Sequence, residues 1–120
     1  MNPLSMSEIR KYPVAAGSVA LWWLGQAGFI VKSPRGKIVA LDPYLSNSCK
    51  ALGEQLGFDL DRLVPPPLAP ADLVGIDLYV MTHSHQDHLD PETLAPYRAA
   101  GGKGPYLAPA ETIEKLHSLG

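Results

Sequence analysis

The apolar positions of this chain fall into short blocks separated by glycine and proline. Residues 18–24 (Ser-Val-Ala-Leu-Trp-Trp-Leu) carry β-branched and aromatic side chains and predict a buried strand. Gly25-Gln26-Ala27-Gly28 interrupts the run, and Phe29-Ile30-Val31-Lys32 resumes it as a second strand. Ser33-Pro34-Arg35-Gly36 is a turn signal. Residues 37–41 predict a third strand, stopped by Asp42-Pro43. Tight turns between these blocks predict an antiparallel meander. Adjacent strand residues point to opposite faces, so either Trp22 or Trp23 must point away from the local core.

The pattern then changes. Residues 47–58 predict a short helix broken by Gly53 and Gly57. Residues 62–70 hold Pro65-Pro66-Pro67 and Pro70, and proline's fixed φ and missing donor make this an extended segment. It is either a linker or a loop beside a functional site. Residues 72–75 predict a single helical turn, and residues 77–82 a strand. Asp90-Pro91-Glu92 is a helix start: an N-cap, a first-turn proline and an acid at the positive end. That helix is expected to end near Gly101-Gly102. Residues 105–109 predict a short strand. Residues 110–119 predict an amphipathic helix with Ile113, Leu116 and Leu119 on its apolar side. Strands alternating with helices in the second half predict α/β (α+β) packing, with helices covering a sheet.

The composition bounds this picture. The 120 residues fit one domain, and 46% hydrophobic against 18% charged residues permits a packed core. A net charge of −2 with no basic stripe argues against nucleic acid as a partner. The apolar stretches fall short of the roughly 20 residues of a membrane helix, so no membrane partner is expected. Residues 1–11 are polar, include Glu8 and do not read as a signal peptide. The single cysteine, Cys49, excludes an intramolecular disulfide and suits a reducing compartment. The expectation is a soluble cytoplasmic protein.

The candidate chemistry lies in His83-Ser84-His85-Gln86-Asp87-His88, which follows the apolar run Leu78-Tyr79-Val80-Met81. Three imidazoles and a carboxylate at this spacing suit a borderline cation such as zinc, manganese or iron. If the backbone stays extended, His83 and His85 can point at one ion, and Asp87 with His88 at a second. Protonated imidazoles packed this closely would repel, so neutral rings around a cation are the cheaper state. His117 sits in a helix-period pattern and reads as a solvated helix residue rather than a further ligand. Cys49 reads as a small near-surface residue, and no Ser/His/Asp pattern offers a protein nucleophile.

His83, His85, Asp87 and His88, in this order after a buried strand, resemble the signature of the metallo-β-lactamase superfamily. Residues 22–29 (Trp-Trp-Leu-Gly-Gln-Ala-Gly-Phe), 42–46 (Asp-Pro-Tyr-Leu-Ser) and 65–67 (Pro-Pro-Pro) are similar to the branch that includes L-ascorbate-6-phosphate lactonase. The resemblance runs from about residue 19 to 94. It implies an αββα sandwich of which this chain supplies the N-terminal half, a mixed sheet with helices on one face and the metal site at one edge. In such proteins His83 and His85 would bind a first ion, and Asp87 and His88 a second. One or two divalent ions, zinc or manganese, would lower the pKa of a water from 15.7 toward roughly 7 and make it the nucleophile. Asp87 would also hold or accept a proton of that nucleophile, which makes it the candidate catalytic residue. Asp42 would orient the metal-binding loop by hydrogen bonds, or else is a turn residue before proline. Gly25 and Gly28 would let backbone approach the site, or else form an ordinary hairpin turn.

Members of the superfamily are much longer, and their remaining ligands lie in the second half. Residues 1–120 are therefore expected to be a single domain incomplete at its C-terminus. The implied activity is hydrolysis of a small-molecule ester, lactone or phosphorylated sugar-acid lactone. Two other readings stand beside it. One is a non-catalytic half-domain that completes its fold by pairing with itself or another chain, and so a possible homo-oligomer. The other is a module holding a single structural ion.

Overall fold

A computed structural model describes residues 3–120. Met1 and Asn2, the start of the polar N-terminal segment, lie outside the described residues. The sheet grows from the predicted meander. Strands β1 (Ala20–Gly25), β2 (Gly28–Lys32) and β3 (Ile38–Leu41) pair antiparallel in sequence order. Strands β4 (Leu78–Val80) and β5 (Tyr106–Leu107) extend the sheet in parallel, giving the order β1-β2-β3-β4-β5. The result is a mixed five-stranded sheet, as expected.

Four α-helices are present among the described residues: α1 (Met6–Lys11), α2 (Cys49–Leu56), α3 (Pro91–Ala99) and α4 (Ala110–Ser118). A 3-10 turn (Pro70–Leu73) stands where residues 72–75 predicted a helical turn. Cross-strand register places Trp22, Ile30, Ala40, Tyr79 and Tyr106 on one face. That face packs against Met6 and Ile9 of α1, Leu94 and Tyr97 of α3, and Leu116 of α4, in one hydrophobic cluster. Fully burying an aliphatic or aromatic side chain in it contributes roughly 1.5–3 kcal/mol. The opposite face carries Leu21, Val31, Val39 and Leu78 in one row, and Trp23, Phe29, Leu41, Val80 and Leu107 in the next. None of these is fully buried, and Leu21, Trp23 and Leu107 are 60%, 44% and 57% exposed. Trp22 thus packs against the core while Trp23 leaves it.

Several elements depart from the sequence expectation. α1 was not anticipated, because six residues carry too little periodicity to register. Its N-cap is Ser5, and its last carbonyls have an unusual partner: the buried Lys32 ammonium donates to Ile9 O (2.9 Å), Arg10 O (2.6 Å) and Tyr12 O (2.7 Å). A cation at a helix C-terminus satisfies both the orphan carbonyls and the dipole. Gly53 does not break α2. It lies inside it, where an added Cβ would come within 2.6 Å of Phe58 O. Gly57 ends the helix at φ 81°. Leu119 is 43% exposed rather than part of the apolar side of α4, since the helix stops at Ser118. The proline-rich segment is docked along the molecule: Leu68 is buried and Leu4 N–H donates to Pro67 O at 2.9 Å. Among the described residues no helix is long and apolar enough to cross a membrane.

Candidate metal centre

The site forms where β3 and β4, the first parallel pair, end side by side. Crevices at the carboxyl ends of parallel strands are where open sheets bind ligands. β3 ends at Leu41, and Asp42 follows in the left-handed region at φ 46°. Its N–H donates to Val80 O at 2.8 Å, which locks the two strand ends together. The Asp42 carboxylate is 4% exposed and accepts from Thr82 N–H (Oδ1, 2.7 Å) and Thr82 Oγ–H (Oδ2, 2.7 Å).

The extended backbone expected through the histidines is absent. β4 stops at Val80, and residues 83–88 form a compact turn in which His88 N–H (2.9 Å) and Leu89 N–H (2.8 Å) both donate to His85 O. The turn gathers the imidazoles by folding back on itself. Ring centroids lie 3.9 Å apart for His83 and His88, and 4.6 Å apart for His83 and His85. His85 is exposed, while His83, Asp87 and His88 are half-buried.

Hydrogen-bond counting assigns the ring protons. Thr82 has one hydroxyl proton, and it points at Asp42 Oδ2. Its oxygen therefore accepts from His83 Nδ1–H at 2.9 Å, which leaves the lone pair of His83 on Nε2. His88 Nδ1 lies 2.9 Å from Asp42 Oδ2, so it too carries a proton. In the neutral ring His88 Nε2 then presents a lone pair, 3.5 Å from Asp87 Oδ2. A proton or a metal cation shared between these two atoms joins them. The donor set, three imidazoles and a carboxylate, fits a borderline divalent ion by its chemistry. Among the described residues, no group of three or more His, Cys, Asp or Glu side chains is arranged to hold an ion by itself.

Other residues around the site were not legible as partners in the sequence. Asp90 is more than an N-cap. Fully buried, it accepts from Ser46 Oγ (2.6 Å), Ser48 Oγ (2.8 Å), Thr93 Oγ1 (2.6 Å) and Glu92 N–H (3.1 Å). It thereby ties the segment after Asp42 to the segment after His88. Arg62 donates to the carbonyls of Leu24 (2.9 Å), Val64 (2.9 Å) and Tyr44. Gly25, at φ 88°, makes room for it: a Cβ there would lie 2.2 Å from Arg62 Nη2. Gly28 brings β2 against the Asp42 carbonyl, 3.0 Å from where a Cβ would sit. Both glycines thus serve a hairpin and a close approach at once. On the far side, Lys115 of α4 donates to Ser84 O at 2.8 Å. Glu111 is held below the usual carboxylate range by hydrogen bonds from Thr112 and then Ser84. His117 is exposed on α4 and lines a shallow groove with Arg98 and Tyr106.

A pocket of about 280 Å³ opens beside the histidine turn, lined by Gln26, Cys49, Leu52, Leu60, His85, Gln86 and Asp87. Cys49 is 6% exposed and forms part of this wall. Burial pushes its thiol pKa up, which disfavours the thiolate. Burial also pushes the neighbouring Tyr44 hydroxyl up to about 12.

A family model described as a Beta-lactamase superfamily domain matches residues 20–118. The chain belongs to the metallo-β-lactamase superfamily. Its sheet and helices are half of that fold. Among curated proteins it is 34% identical over 109 residues to a UPF0173 metal-dependent hydrolase of Polynucleobacter asymbioticus, covering 88% of this chain and 32% of the relative. It is 28% identical over 123 residues to a probable L-ascorbate-6-phosphate lactonase UlaG of Salmonella heidelberg, covering 89% of this chain and 35% of that protein. Among solved structures it resembles Igni18, a metallo hydrolase of Ignicoccus hospitalis, with a TM-score of 0.55 and 25% identity over 85% of this chain and 36% of the other. The chain spans about a third of the length of the curated relatives it matches.

Proposed function

We propose that this chain contributes the metal-gripping half of a cytoplasmic metal-dependent hydrolase. The reading is supported above all by one observation: His88 Nε2 and Asp87 Oδ2 face each other 3.5 Å apart while Asp42 holds the opposite edge of the same ring. In this assignment His83 and His85 serve one ion, and His88 and Asp87 a second, zinc or manganese. The remaining donors come from outside residues 1–120, because a catalytic ion usually takes three protein ligands. When bound, the ions supply a lowered water pKa and a Lewis acid at the reacting carbonyl or phosphoryl oxygen. Asp42 and Thr82 fix the tautomers of His88 and His83 and so aim both Nε2 lone pairs. Asp87 holds a proton of the attacking water in line. The bond broken is that of an ester or a lactone in a small molecule; the name of one relative, a probable L-ascorbate-6-phosphate lactonase, supports the lactone.

Replacing His85 with alanine tests the ligand assignment. Elemental analysis after metal loading should show loss of the ion it serves; unchanged stoichiometry would overturn the assignment.

A second reading has its own observation, the exposed apolar face carrying Leu21, Trp23 and Leu107. By that reading the half-domain is covered by another chain or a second copy, and sedimentation would find a particle larger than 12.9 kDa.

A further inference from the structure

Three separate parts of the chain hold the histidine turn. At its start, Asp42 accepts from Thr82 N–H and Oγ–H, both at 2.7 Å. Just past its end, the buried Asp90 gathers the hydroxyls of Ser46, Ser48 and Thr93. Its middle is Ser84, between His83 and His85, and there the contact comes from α4. Lys115 Nζ donates to Ser84 O at 2.8 Å, across 31 positions of sequence. Glu111 lies on the same side of α4, since residues i and i+4 share a helix face. Hydrogen bonds from Thr112 and then Ser84 hold its carboxyl below the usual range, so Ser84 is met at its hydroxyl as well as at its carbonyl. The helix offers a firm base for this grip: Thr112 is fully buried, and Leu116 packs in the core cluster.

We propose that Lys115 is a positioning residue for the metal centre: by holding Ser84 O it keeps the histidine turn closed in the shape that receives an ion. This rests on the reading of His83, His85 and His88 as ligands and adds a residue that touches none of them. The Ser84 carbonyl belongs to the planar peptide unit that joins Ser84 to His85, so fixing its oxygen fixes the direction in which the His85 backbone continues. The next carbonyl, His85 O, is the one that accepts from His88 and Leu89 N–H and closes the turn. A swing of the Ser84 peptide would therefore disturb the closing bonds and the approach of His88 to His83, whose ring centroids lie 3.9 Å apart.

The test is made on the full-length protein with Lys115→Met, which keeps the length of the side chain and removes its donor. Lys115 is exposed, so the fold should survive the change. Amide exchange of His88 and Leu89, followed by NMR on metal-free protein, should quicken about threefold to tenfold, the worth of one hydrogen bond. Exchange at Tyr79 and Met81, whose N–H groups bond to Pro105 O and Leu107 O in the sheet, should not change. Zinc affinity, from competition with a chelating dye, should fall by a similar factor. Lys115→Arg, which keeps a cationic donor, should restore most of both. Unchanged exchange at His88 and Leu89, equal quickening at Tyr79 and Met81, or unaltered zinc affinity would each overturn the proposal. So would a loss in Lys115→Arg as large as in Lys115→Met. Failure of the underlying reading looks different: an unsubstituted protein that takes up no zinc or manganese defeats the ligand assignment, and the exchange rates then decide alone whether Lys115 holds the turn.

Discussion

The two faces of the sheet carry the same kind of side chain and have opposite fates. Ile30, Ala40 and Tyr79 on one face are wholly buried; Leu21, Trp23 and Leu107 on the other are about half exposed. Both faces are apolar, so alternation between hydrophobic and polar residues cannot tell them apart. The difference is the helices: α1, α3 and α4 all lie over one face. A strand that is apolar on both sides belongs to a sheet covered on both sides. The open face therefore reads as a surface meant for a partner layer, in keeping with membership of a family built as a sandwich.

Substitutions can break this contrast or sharpen it. The largest effect is expected from Ile30→Ala on the covered face, a loss of about 2–5 kcal/mol measured by urea unfolding. Leu21→Ser on the open face should change stability by less than ~0.5 kcal/mol while reducing self-association in sedimentation. Equal losses at the two positions would mean that the faces are not different in solution. Between these lies Asp42→Asn, at the buried end of β3. A neutral amide cannot accept from Thr82 and from His88 as a carboxylate does, so affinity for zinc should fall about 10–100-fold in a competition titration. An unchanged affinity would mean that the turn holds its imidazoles unaided. A small effect is likewise expected from Tyr79→Phe. The Tyr79 hydroxyl is buried without a hydrogen-bond partner among the described residues, so removing it should leave stability within about 1 kcal/mol or raise it. A large loss would reveal a partner for that hydroxyl.

Local features of the chain were legible in proportion to how closely their parts lie along it. The three-strand meander, the Asp90-Pro91 helix start and the histidine turn each occupy a few consecutive residues, and each stands where it was read. The turn's conformation was not legible. His88 folds back beside His83 through the i to i+3 and i+4 bonds from His88 and Leu89 N–H to His85 O, not along an extended strand. Asp42 was singled out by resemblance, but its bonds to Thr82 and His88 span 40 and 46 residues. The same distance hid Lys32 beneath α1, Arg62 beside Gly25, Asp90 among three hydroxyls, and Cys49 in the pocket wall. In each case the residue found its partners only after remote segments met.

The amino-acid order by itself determined which residues can bind a cation and which blocks can be strands, because both depend on chemistry or backbone preference within a few positions. Tertiary structure alone decided which side-chain atoms meet at the histidine turn, which apolar face is covered and which residues line the pocket. Those outcomes depend on distances between segments that elementary propensities do not encode.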